Sequence, residues 1–159
     1  MGKVLGSKRK SVFIIILWVF IVLTVGFIWG NSLQSTTNSA QTSSGVYTFF
    51  KPLLDFVFGK NNFTHTHFRK LAHFAEFFVL GIEIYLLFRV KYGNIRCKII
   101  TIVLIGFFAG LIDESLQVLS SRGASMLDVL IDFSGFCSAV ILSILATITI
   151  YKIKGKNHI

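Results

Sequence analysis

Apolar residues fall in four long blocks, each close to the ~20 residues that a helix needs to cross a hydrocarbon core. Residues 12–29 contain no charge, and residues 71–88 contain His73, Glu76 and Glu83. Residues 99–119 contain Asp113 and Glu114, and residues 126–151 carry Asp128 and Asp132 near their start. Lipid cannot satisfy exposed backbone groups, so a spanning segment is a helix unless a barrel closes on itself, and the alternating strands of a barrel are not present in this sequence. The pattern predicts an all-α polytopic membrane protein, a four-helix transmembrane bundle formed by a single domain over residues 1–159.

Residues 30–70 form the long connection between the first two blocks. Residues 31–44 are rich in Ser, Thr, Asn and Gln and read as a solvated linker with little drive to fold. The following run, VYTFFKPLLDFVF (residues 46–58), is apolar and aromatic but too short to span. It is expected to form a short interfacial or re-entrant helix, bent at Pro52, or else a loop packed on the bundle. Asn62-Phe63-Thr64 matches a glycosylation acceptor, without other signs of a eukaryotic secretory protein. His65-Thr66-His67 offers two imidazoles but no third ligand nearby, and reads as structural rather than metal-binding.

Composition agrees with the block pattern. Hydrophobic residues make up 53% and charged residues 14%, with a mean hydropathy of +0.73; a soluble domain carries about 25% charged residues. This excludes an ordinary cytosolic domain, a disordered chain and a collagen-like fibre. The net charge of +9 does not indicate nucleic acid, because the basic residues cluster between apolar blocks. Eleven of them flank the start of the first block, the junction between the second and third, and the end of the fourth, against five on the other side. The positive-inside rule then places both termini in the cytoplasm. Lys8-Arg9-Lys10 before an apolar run also suits a signal peptide, but a run of 18 residues exceeds a usual signal core, so the first span is expected to be retained. Cys97 lies on the cytoplasmic side and Cys137 deep in the fourth span, so they are not expected to pair.

The acidic residues are the most informative feature. Of seven, only Asp55 lies outside the later spans; Glu76, Glu83, Asp113, Glu114, Asp128 and Asp132 lie within them or at their edges. An ionised group at mid-membrane costs about 2.5–3.5 kcal/mol on insertion scales, so intramembrane charges mark function by default. The topology puts His73, Glu76, Asp113, Glu114, Gln117, Asp128 and Asp132 at one level, in the outer leaflet, with Glu83 deeper. Arg69, His73, Glu76 and Glu83 share one helical stripe. Asp128, Asp132 and Gly135 continue at spacings of four and three, Gly135 allowing a close helix approach. The expectation is a water-accessible polar cavity open to the outside and roofed by Arg122.

RKLAHFAEFFVLG (residues 69–81) and DESLQVLSSRGASMLDVLIDFSG (residues 113–135) together resemble the VanZ-like membrane protein family. Lys70, His73, Phe74 and Glu76 match its first block; Asp113, Glu114, Gln117, Arg122, Asp128 and Gly135 match its second. Ser32, Gln34 and Ser35 loosely match a Ser-rich stretch after the family's first span. Asp132 departs from the pattern, where an Asn is common. The resemblance covers residues 31–150 and implies a bacterial cell-membrane protein, with some relatives linked to resistance to glycopeptides such as teicoplanin. It implies a phenotype rather than a reaction.

Three readings of the polar cluster stand side by side. As an enzyme site at the outer leaflet, it has His73, Glu76, Asp113, Glu114 and Asp128 as candidate catalytic groups, His73 being suited to general acid–base work. Asp113, Glu114 and Asp128 could also hold a divalent cation. Lys70, Gln117 and Arg122 are candidate binding groups for a phosphate or carboxylate. The substrate would be a membrane lipid, a lipid-linked cell-wall precursor or a glycopeptide. As a binding or transport site, the cavity would receive a lipid or drug head group, with Glu83 in a proton relay. As structure alone, His73 with Glu76, Arg122 with Asp113, and Lys70 with Glu114 would pair to hold helix register, with Asp128 capping its helix.

Overall fold

The apolar blocks become long helices in the computed structural model, which describes residues 2–60, 62–121, 123 and 125–156. These are α1 (Gly2–Ser32), α3 (His65–Tyr92), α4 (Ile99–Leu119, entered through a 3-10 turn at Arg96–Lys98) and α5 (Met126–Lys156). Segments long and apolar enough to cross a membrane are Lys8–Ser32, His65–Tyr92, Arg96–Leu119 and Met126–Ile153. A fifth helix, α2 (Thr36–Phe58), connects α1 to α3, and no strand occurs among the described residues. The chain is an all-α, multi-pass membrane bundle.

The central pair is α3 and α5, with α1 packed on α3 and α4 packed on α5. Phe77, Leu80 and Ile84 of α3, Ile102 of α4, and Phe136 and Val140 of α5 form the buried core together with Leu17, Ile21 and Ile28 of α1. Glycine sets the closeness of α3 and α5. A Cβ on Gly135 would collide with the backbone carbonyl of Phe74. One on Gly81 would come within 2.6 Å of the Phe136 carbonyl oxygen and 2.8 Å of the Ala139 Cβ. Small residues let membrane helices touch along their backbones. Here that contact sets their rotation: Asp132, nearly one turn before Gly135, is brought to His73, the residue before Phe74. Apolar side chains cover the outside, including Val22, Leu23 and Phe27 of α1, Phe108 of α4 and Leu142 and Leu145 of α5. That is the shell a lipid-facing bundle needs, since lipid is as apolar as the side chains that meet it.

The two ends of the bundle differ in charge. At one end Lys10 Nζ donates to the Lys91 carbonyl (3.4 Å), and Arg89 donates to the Tyr151 hydroxyl (2.7 Å) with its guanidinium over the Tyr151 ring. Lys91 and Lys98 both lie over the Tyr92 ring. The start of α1, the α3–α4 turn and the end of α5 therefore meet there. The α1–α2 and α4–α5 connections lie at the opposite end.

The linker expected over residues 31–44 is corrected. Helix α1 continues to Ser32 and α2 begins at Thr36, so the connecting helix has 23 residues rather than a short run from residue 46. The reason is that the polar side chains serve the helix itself. Ser35 caps it, accepting from the Asn38 amide (3.4 Å), while Ser44 and Thr48 donate back to the Gln41 and Ser44 carbonyls. Contacts to α3 add tertiary support: Ser43 Oγ lies 2.9 Å from His65 Nε2, and the Tyr47 and Phe50 rings pack on Phe68. The helix runs through Pro52, whose missing N–H removes one backbone bond of the helix.

Candidate functional site

Asp113 is fully buried on α4 and is held by two donors. Ser32, the last residue of α1, donates its hydroxyl to Oδ1 at 2.5 Å, and Gln117, one turn along α4, donates its amide to Oδ2 at 2.8 Å. The Ser120 hydroxyl is 2.9 Å from both the Ser32 and Gln117 carbonyls, which stitches the end of α1 to the end of α4. A carboxylate out of water needs such donors, because leaving its oxygens unpaired costs more than the bonds themselves contribute.

His73 of α3 stands among three carboxylates. Its Nδ1 is 3.7 Å from Asp132 Oδ1 on α5, 3.9 Å from Asp113 Oδ2 on α4, and 4.0 Å from Glu76 Oε2 one turn along α3. These lengths exceed a hydrogen bond but suit ion pairs when the imidazole is protonated. Asp132 is fully buried, and neither of its oxygens has a hydrogen bond among the described residues. Glu76 is half-buried and is reached by the side chain of Asn31 from α1. Ligand-type atoms of His73, Asp113 and Asp132 all lie within 4.8 Å of one another.

Two cavities meet at His73. The larger, about 320 Å3, lies between α1, α2 and α3; it is lined by Asn31, Gln34, Ser43, Arg69, His73 and Glu76 and by the apolar Phe27, Val46, Phe68 and Ala72. The smaller, about 70 Å3, lies between α3 and α5 and is lined by Thr66, Arg69, Lys70, His73, Asp128 and Ile131. Arg69 and His73 line both.

Of the residues singled out from the sequence, His73, Glu76, Asp113 and Gln117 come together. Lys70 and Asp128 share the smaller cavity with His73. Glu114 is buried beside the α4–α5 turn, where its Oε1 accepts the Ser125 amide. Arg122, expected to roof the cavity, lies outside the described residues. The cation set considered from the sequence was Asp113, Glu114 and Asp128; the ligand-type atoms gathered here are those of His73, Asp113 and Asp132. Glu83 is buried deeper, where its Oε1 accepts the Thr24 hydroxyl at 2.9 Å. His65 and His67, expected in the loop, stand in the first turn of α3, where His65 Nε2 is 2.9 Å from Ser43 Oγ of α2 and His67 forms a capping box with Thr64.

Sequence reasoning missed Ser32 and Asn31 as site residues, passed over Arg69 as a binding group and left Asp132 without a role. The available signal for Ser32 was its loose match to the Ser-rich stretch. For Arg69 it was its place on the stripe with His73 and Glu76.

Comparison with curated proteins and with solved structures found no significant match. Residues 12–147 match the family described as VanZ/LLP1, a stretch that runs from within the first span to within the fourth and includes every residue of the His73 cluster, and the chain belongs to this VanZ-like family.

Proposed function

We propose that this protein resides in the bacterial cell envelope, with both termini cytoplasmic and the His73 cluster toward the outer leaflet. There it binds or acts on the anionic head group of a membrane lipid or lipid-linked cell-wall precursor. In this way it contributes to resistance to glycopeptides of the teicoplanin type. The orientation rests on the basic end of the bundle, which gathers three Lys- and Arg-rich segments opposite the cluster. The resistance role rests on family membership.

The observation that carries the head-group reading is the mixed lining of the 320 Å3 cavity. Phe27, Val46 and Phe68 suit an acyl chain, while Arg69 offers a planar fork of donors to phosphate or carboxylate. The volume falls at the small end of ligand pockets, about 300–1,000 Å3. That suits a head group and is too small for a whole glycopeptide. His73 borders both cavities, so a group held by Arg69 or Lys70 lies beside its imidazole.

The test is teicoplanin susceptibility of a sensitive bacterium expressing the wild-type chain, Arg69→Ala or His73→Ala, with membrane levels followed by immunoblot. Alongside it, mass spectrometry would read anionic lipid retained by the purified proteins. Both substitutions are expected to abolish protection and Arg69→Ala to reduce retained anionic lipid. Protection and retention equal to wild type in both variants would defeat the proposal.

A further inference from the structure

We infer that His73, Asp113 and Asp132 form a binding site for one divalent transition-metal ion of the zinc or manganese class. Three helices each contribute one residue, and their ligand-type atoms lie within 4.8 Å of one another. The distances of 3.7 and 3.9 Å from His73 Nδ1 to the two Asp oxygens are too long for hydrogen bonds. They also lie within reach of a shared ion: donors about 2.0–2.2 Å from a zinc can stand up to about 4 Å apart.

Asp132 supplies the independent observation. It is 0% exposed, and both of its oxygens lack a hydrogen bond among the described residues. Buried polar atoms almost always have partners, so an orphaned carboxylate at a focus of ligand atoms points to an absent one. Its electrostatic neighbours are the acids Asp113, Asp128, Glu76 and Glu114. Among the described residues, His73 is the only cationic side chain within 4 Å of Asp113, Asp132 or Glu76. Among the described residues, two fully buried carboxylates therefore face at most one positive charge, and a divalent ion removes that deficit.

The surroundings are those of a ligand shell. Ser32 and Gln117 donate to the two oxygens of Asp113 and fix its orientation, as outer partners do for metal-binding carboxylates. One imidazole with two carboxylates favours zinc or manganese over magnesium or calcium, which prefer oxygen alone, and over ions that select thiolates. The site does not depend on the head-group reading, since it can be measured without lipid.

The experiment uses the full chain in detergent, stripped with chelator and titrated calorimetrically with Zn2+ and separately with Mn2+. One ion per chain is expected for wild type, with affinity at least tenfold weaker in Asp132→Asn and in His73→Gln and unchanged in Glu83→Gln. Wild-type melting temperature should rise on refilling, which needs no variant to fold. No stoichiometric binding of either ion, or equal affinity in Asp132→Asn, would overturn the inference. So would a melting temperature raised by Asp132→Asn and indifferent to metal, which would assign the cluster to shared protons instead.

Discussion

The Ser32 hydroxyl, at the last residue of α1, donates to Oδ1 of Asp113 at 2.5 Å inside the bundle. Both side chains are buried, so the bond links the end of the first span to a fully buried acid of the cluster. Removing the hydroxyl leaves that oxygen short of a donor, at a cost of about 1–3 kcal/mol. Ser32→Ala is therefore expected to lower the melting temperature of the purified protein and to reduce protection against teicoplanin. Ser120→Ala, which removes only neutral contacts to the Ser32 and Gln117 carbonyls, should cost less. Thermal melts of the two variants in the same detergent check the order.

Gly135 sits where a methyl group would strike the Phe74 carbonyl. Backbone atoms cannot give way as a side-chain tip does, so Gly135→Ala must part α3 from α5. Overpacking of this kind costs about 1–3 kcal/mol, occasionally more, and it displaces Asp132 from His73. The expected result is poorly folded protein by size-exclusion chromatography, or folded protein that has lost function. Gly26→Ala is the control, since a Cβ there meets nothing within 4 Å; a Gly135→Ala variant as stable and active as that control would contradict the packing account.

The turn between α4 and α5 contains Ser121 at φ 62°, a left-handed conformation in a non-glycine residue. Ser121 is exposed and follows the helix C-cap, the position where glycine usually closes a helix. The left-handed region costs an L-residue about 1–2 kcal/mol, partly offset by the greater freedom glycine loses on folding. Ser121→Gly should stabilise the protein by about 0.5–1 kcal/mol, read as a small rise in melting temperature with function retained.

The spans and the acidic cluster were legible because charge within an apolar block is energetically anomalous and stands out in the sequence. His73, Glu76 and Asp113 announce themselves in this way. Ser32 and Asn31 do not, because a small polar residue at the end of a span carries little penalty and needs no partner to explain it. Asp128 and Asp132 look alike in the sequence. Only the Gly135–Phe74 contact decides which of them turns toward His73. The start of α2 was hidden for a different reason: its first turns have no apolar periodicity, and what holds them is capping by Ser35 and the Ser43–His65 contact, which spans 22 positions of chain.

Glu83 separates a local polar pair from a proton relay. Its Oε1 accepts from Thr24, and its buried Oε2 has no hydrogen bond among the described residues. Glu83→Gln keeps the acceptor for Thr24 and replaces an already unpaired atom. Stability is expected to stay within about 1 kcal/mol of wild type, with teicoplanin protection unchanged. Loss of protection at an unchanged membrane level would favour a relay through Glu83 over a head-group site centred on His73.

Cys97 offers a direct test of orientation. It is exposed within the 3-10 turn that precedes α4, at the basic end of the bundle. If the positive-inside rule holds here, that end faces the cytoplasm. A membrane-impermeant maleimide should then leave Cys97 unlabelled in intact cells and label it after permeabilisation. Ser44, exposed on α2 near the other end, should behave in reverse: Ser44→Cys in a Cys97→Ser background should label in intact cells. The opposite pattern in both proteins would turn the bundle over. The His73 cavity would then open toward the cytoplasm, where a lipid-linked precursor is made rather than used, and the step at which the protein meets its ligand would change with it.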